Sequence, residues 1–221
     1  MGAVTDASRP VDGQSERSAA LRSYGGVDGD ERIARRRIAL MDAALDLLGA
    51  DGGGSVTVRG VCRASGLNPR YFYESFDSVE ALVAATFDRV VDEISDSALA
   101  GFGAGDDIDD KVAGAVGAIV DIIDDDRRKG RLLFSPKLLS PTIADKRSES
   151  TALFAMLTVD TASNALAKQV SPEAIGAAQF EVGGLARLLS AWLDGDVALG
   201  RDEVVALSVR LMMSLVDAVA G

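Results

Sequence analysis

Thr57-Val58-Arg59-Gly60-Val61-Cys62-Arg63-Ala64-Ser65-Gly66-Leu67-Asn68-Pro69-Arg70-Tyr71-Phe72-Tyr73-Glu74-Ser75-Phe76 holds two helical patterns and one sharp break. Val58, Val61 and Cys62 share one face of the first pattern, and Ser55 or Thr57 is placed to cap it. Ser65-Gly66-Leu67-Asn68 ends it. Asn68 is a good N-cap and Pro69 a good first helical residue, since its φ is preset and its missing N–H has no helical partner there. Phe72 and Phe76, four apart, turn inward together. That leaves Arg70, Tyr71, Tyr73, Glu74 and Ser75 for the outer face. Helix, glycine turn, helix is the layout of a helix-turn-helix, whose second helix buries one side and offers the other to the major groove.

Upstream, Leu40, Met41, Ala44, Leu45, Leu47 and Leu48 recur at helical spacing, and Gly52-Gly53-Gly54 is expected to stop that helix. Residues 1–29 have few apolar groups and no period, and read as a disordered tail. Downstream, Asp77 and Ser78 offer a cap, with Glu80 three residues after Asp77 in a capping-box arrangement. The helix that follows carries Leu82, Val83, Phe87, Val90, Val91 and Ile94 inward, and Gly101–Gly105 reads as a loop. Further helices are expected at about 107–125, 127–135, 145–169, 172–194 and 201–219. No segment alternates with period two, so the fold class is all-α, with about nine helices. An N-terminal helix-turn-helix domain (30–78) precedes a helical domain (79–221).

The totals exclude several functions. The chain has no histidine and one cysteine, Cys62. Ser-His and Cys-His nucleophile pairs are therefore impossible, and the commonest zinc ligand is missing. Asp106-Asp107-x-Asp109-Asp110 and Asp124-Asp125-Asp126 lack the spacing and closing Glu of a calcium loop. No catalytic residue, metal or cofactor is expected, and the protein reads as a non-enzyme. The N-terminus shows no basic start followed by an apolar stretch, and no run is long enough for a membrane span, so a cytoplasmic address is expected. The net charge of −11 is at first sight wrong for nucleic acid. Its distribution answers this: residues 30–90 hold nine acidic and eight basic side chains, against 21 and 12 in residues 91–221.

The landmarks extend beyond a generic motif. Arg37-x-x-Leu40-Met41-x-Ala43-Ala44-x-x-Leu47-Leu48-x-x-x-Gly52 precedes Thr57-Val58-Arg59-x-Val61-Cys62, Ser65-Gly66-Leu67, Phe72-Tyr73-x-x-Phe76 and Glu80-x-Leu82. This order and spacing resemble the DNA-binding region of the tetracycline-repressor (TetR) family, from Arg37 to Phe87. The resemblance implies phosphate contacts from Tyr73 and Thr57, and base contacts from Asn68, Arg70 and Tyr71 at the front of the recognition helix. Arg70 suits a guanine edge, which arginine binds bidentately. Arg35, Arg36 and Arg37 are candidate backbone contacts, with a solvated helix start as the alternative. The family's usual lysine before the Glu of the fourth helix is replaced by Val79, and its frequent histidine before the aromatic is replaced by Ser75. The position of Cys62 usually holds alanine, which favours a small buried residue over a redox sensor.

For the second domain the resemblance implies a pocket for a small, largely apolar effector. Phe134, Phe154, Leu157, Phe180 and Trp192 are candidate lining residues. The apolar segment Ala152–Val159 is expected to be deeply buried. The last two helices are expected to pair with their copies in a homodimer, with Gly183-Gly184 allowing close approach. Two readers would then meet a double-stranded, quasi-palindromic operator. The function so implied is that of a ligand-responsive DNA-binding transcriptional regulator, a repressor released by its effector. An enzyme and a helical ligand-binding or scaffold protein without DNA binding are the rival readings.

Overall fold

The computed structural model describes residues 13–50, 54–167 and 169–220. Among them are helices α1 (Gly13–Leu48), α2 (Val58–Ser65), α3 (Pro69–Ser75), α4 (Val79–Ala104), α5 (Ile108–Asp125), α6 (Arg127–Phe134), α7 (Pro141–Leu166), α8 (Pro172–Asp194) and α9 (Arg201–Ala220), and no strand. The first helix starts at Gly13, inside the stretch expected as a tail, whose first twelve residues lie outside the described ones. The same helix ends at Leu48, and Gly52-Gly53 also falls outside the described residues.

Local chemistry sets the helix ends around the reading element. Thr57 rather than Ser55 caps α2, its Oγ1 accepting from the Gly60 amide at 3.1 Å. Gly66 then takes φ 70°, a left-handed conformation that costs a residue with a Cβ about 1–2 kcal/mol. Asn68 Oδ1 accepts from the Tyr71 amide at 3.2 Å and opens α3. The cap of α4 is Ser78, not Asp77: its Oγ accepts from Ala81 N at 3.1 Å. Glu80 therefore sits at the second helical position, one short of where a capping box needs it.

These helices close on one small core. Leu40, Met41, Ala43 and Ala44 of α1, Val61 and Cys62 of α2, Phe72 and Phe76 around α3, and Leu82 of α4 are all buried together. Phe72 and Phe76 lie 6.2 Å apart between ring centroids. A second cluster joins Leu45 and Leu48 of α1 to Val83, Phe87, Val90, Val91 and Ile94 of α4, to Leu132 and Leu133 of α6, and to Leu138 and Ile143. The fourth helix thus belongs to both parts: its first turn completes the helix-turn-helix and its next turns begin the larger body. Val116, Val120 and Ile123 of α5, Leu189 and Trp192 of α8 and Val204 of α9 form the third cluster.

Two expectations are corrected in the larger body. Gly101–Gly105 is not a loop, since α4 runs on to Ala104. Gly101 meets the backbone of Gly114 on α5, and a Cβ on either would strike the other's carbonyl. The missing side chains let two long helices touch, and that packing holds α4 helical through its glycines. Ala152–Val159 is not buried throughout: Ala155 is 2% exposed, but Leu153 is 42% and Met156 71% exposed. Only one side of α7 faces neighbouring helices, so its apolar content exceeds what the packing uses.

Candidate nucleic-acid interface and effector cavity

The expected DNA-reading residues gather around α3, in two different situations. Arg70 and Tyr73 stand clear of the protein, with the Arg70 side chain 83% exposed and Tyr73 62% exposed. Arg70 Nε donates to Glu74 Oε1 at 2.8 Å, one helical turn away. That bond, with the Glu74 charge, raises the Arg70 guanidinium above its ordinary value. Tyr73 lies edge-on to the buried Phe72 at 5.3 Å, which leaves its hydroxyl end outside.

Arg36 and Arg37 are engaged from the other side. Arg36 Nη1 donates to Glu74 Oε2 at 3.1 Å, and its guanidinium lies 4.1 Å over the Tyr71 ring. Arg37 Nη1 donates to the carbonyl of Ser75 at 2.7 Å and sits 4.1 Å over the Phe76 ring. Both therefore tie α1 to the last turn of α3, where carbonyls lack helical partners and a cation is favoured. Glu74 is the shared acceptor that links Arg36 and Arg70. Arg35 pairs with Glu31 on its own helix at 2.8 Å and is otherwise open to solvent.

Thr57 and Asn68 each spend an oxygen lone pair on a cap. The Thr57 hydroxyl hydrogen and the Asn68 amide hydrogens remain donors. Val79, at the position of the family's lysine, packs partly buried against two core clusters. A long cation there would have to leave that packing. Ser75 turns its hydroxyl back to the Tyr71 carbonyl at 2.9 Å. The exposed Arg59 and Arg63 of α2 add cations that the sequence reading did not single out. Nothing in the local pattern distinguished them from ordinary solvated arginines. Cys62 is 7% exposed, and burial pushes its thiol up, toward the unreactive form.

The larger body holds a partly open cavity of about 590 Å³ lined by residues of α4, α5, α6, α7, α8 and α9 and by Pro136 after α6. Phe134, Phe154 and Leu157 line it. Phe180 and Trp192 do not. Phe180 is 70% exposed on the outer side of α8. Trp192 is a core residue whose Nε1 donates to the Leu199 carbonyl at 2.8 Å. Helical rotation turns Phe180 away from the wall formed by Glu181, Leu185 and Leu189 on the same helix, whereas Trp192 shares their side of α8 but lies further toward its C-terminus.

The wall is mostly apolar, but three ionisable groups absent from the sequence reading reach it, Arg147, Glu181 and the exposed Arg187. Desolvation lowers the Arg147 guanidinium and pushes the Glu181 carboxyl up to about 7. Two cavity-bordering elements also hold α1. Arg128 of α6 pairs with Asp46, Arg131 donates to the Gly49 carbonyl at 3.0 Å, and Arg89 of α4 pairs with Asp42 at 2.7 Å.

Residues 40–86 match the family model described as bacterial regulatory proteins, tetR family. Among solved structures, a TetR-family transcription regulator from Marinobacter aquaeolei VT8 is 21% identical, with a TM-score of 0.63 over 84% of this chain and 97% of that one. The fatty acid degradation regulator FadR from Bacillus halodurans is 16% identical, with a TM-score of 0.69 over 80% and 94%. FadR from Bacillus subtilis, in complex with stearoyl-CoA, is 14% identical, with a TM-score of 0.63 over 80% and 96%. No curated protein matches the chain by sequence. A capped helix-turn-helix packed under a larger helical body is the architecture that this chain shares with those regulators. Residues 40–86 match the tetR-family model, and the chain as a whole shares the fold of these TetR-family regulators. Among the described residues no helix is long and apolar enough to cross a membrane.

Proposed function

We propose that the protein is a ligand-responsive repressor, a homodimer that leaves its operator when a small, largely apolar effector fills the cavity. The reading gives residues 30–78 to DNA and 79–221 to effector binding and dimerisation, with binding rather than catalysis as the role. The observation that carries it is the shared footing of the cavity and the reader. The helix whose residues Ile94 and Phe102 line the cavity also places Leu82 in the core beneath α3. An effector that favours one position of α4 shifts the reader by as much as its affinities for the two states differ, and no further.

In this reading Arg70, Asn68 and Tyr71 meet base edges, and Tyr73 and Thr57 meet phosphates. Arg36 and Arg37 act mainly by holding α3, and Arg35 is left for the DNA backbone. The dimer forms through α8 and α9, which is supported by Ile175, Phe180 and Leu211 standing exposed on them. A Cβ placed on Gly183 or Gly184 would meet only open space. That leaves room for a second helix to approach closely. Phe180 belongs to this outer face in the proposal.

The test is fluorescence anisotropy with double-stranded DNA from the region flanking the gene, across a salt series and against competitor DNA. Affinity above competitor, falling steeply with salt, is expected. Absence of preference at low salt would remove the regulator reading and favour a helical ligand-binding protein.

A further inference from the structure

The chemistry of the cavity wall narrows what enters it, given the reading of that cavity as an effector site. Arg147 of α7 is half-buried there. Its Nη2 donates to the carbonyls of Leu132 at 2.9 Å and Ser135 at 2.8 Å, while its buried Nε has no acceptor. No carboxylate among the described residues pairs with it. Glu181 of α8 shares the wall and likewise has no ion-pair partner among the described residues. Ser190 Oγ donates to the Phe134 carbonyl at 3.3 Å, which sets that part of α8 beside the segment gripped by Arg147. Glu181 lies nine residues earlier on α8, about 13 Å along its axis. Arg147 and Glu181 therefore stand apart in one largely apolar chamber, whose third ionisable lining group, Arg187, is exposed to solvent.

They meet the cost of burial differently. A guanidinium does not give up its proton inside a protein, so Arg147 stays charged and short of an anion. A carboxyl escapes the same cost by taking a proton. Glu181, pushed up to about 7, is already part-way there at neutral pH. The persistent unmet charge of the cavity is positive.

We propose that the effector is an anionic amphiphile, with an apolar body among side chains such as Phe102, Ile119, Leu157 and Leu185 and a carboxylate or similar oxyanion against Arg147. The head would lie at the Phe134–Pro136 end, next to the segment that joins α6 to α7.

Titration calorimetry of the full chain with dodecanoate, dodecanol and dodecyltrimethylammonium, each below its micelle concentration, tests this. Dodecanoate is expected to bind at least about tenfold more tightly than either of the others, as a charge-assisted pair in a dry site requires. That advantage is expected to vanish in Arg147→Gln and to survive in part in Arg147→Lys. Should Arg147→Gln fail to fold by circular dichroism, the head-group comparison on the unaltered protein decides alone. Equal binding of dodecanoate and dodecanol overturns the anion preference while leaving the effector cavity standing. Tightest binding of the ammonium overturns it in favour of Glu181 as the recognising group. Binding of none of the three overturns the cavity reading and this inference together.

Discussion

At the scale of single residues, the reading face separates side chains that hold from side chains that are free to touch. Arg70 and Tyr73 are exposed, whereas Arg36 and Arg37 are committed to Glu74, Ser75 and two aromatic rings. Arg70→Ala is expected to relax sequence preference at one position and cost about 1–3 kcal/mol on the best site. Tyr73→Phe is expected to weaken all sites alike. Anisotropy against a panel of single-base operator variants separates the two, and the reverse pattern would refute the assignment. Glu181 carries a second residue-scale expectation. Burial raises its carboxyl from the ordinary 4.5 to about 7, so between those values the folded chain keeps a proton that the unfolded chain has released. Stability therefore falls as pH rises through that window and levels off above it. Thermal melts across pH 4.5 to 8 should show a shallower fall in Glu181→Gln than in the unaltered protein.

At the scale of elements, the α4–α5 contact is the most constrained. Gly101 and Gly114 bring two backbones together with no room for a Cβ on either side. Gly114→Val forces the helices apart, at a cost of about 1–3 kcal/mol or somewhat more for overpacking. At this chain length that is a fall in Tm of roughly 2–4 °C for each kcal/mol. An unchanged Tm would mean that the helices do not approach as described. The caps were better signposted than this contact. Asn68 and Pro69 announced the start of α3, and Gly66 its turn, because each acts on the backbone within a few residues of itself. Asp77 and Ser78 are equally good caps for α4 in the sequence, and only the path of the chain chooses Ser78. The glycines at 101–105 read as a loop because their packing partner lies on another helix.

At the scale of the whole molecule, the proposed dimer depends on a surface that the isolated chain leaves open. Phe180, exposed between Gly176 and Gly183 on α8, is the apolar centre of that face. Phe180→Glu is expected to yield monomers in sedimentation velocity and to lose operator affinity while retaining helical content. A dimer of unchanged strength would place the interface elsewhere.

The amino-acid sequence by itself determined that the chain is helical, where its reading element lies and to which family that element belongs. These properties rest on interactions within a few residues: apolar spacing, side-chain caps and a left-handed glycine. The tertiary structure alone decided which arginines stand exposed, which aromatics face the cavity and which ionisable groups share its wall. Arg36 reaches Glu74 across 38 positions, and Arg147 reaches the carbonyl of Leu132 across 15. Phe180 and Glu181 are neighbours in sequence, yet one faces solvent and the other the chamber. A turn of about 100° per residue separates neighbouring positions on a helix, and only the packing of other helices says which direction is inward.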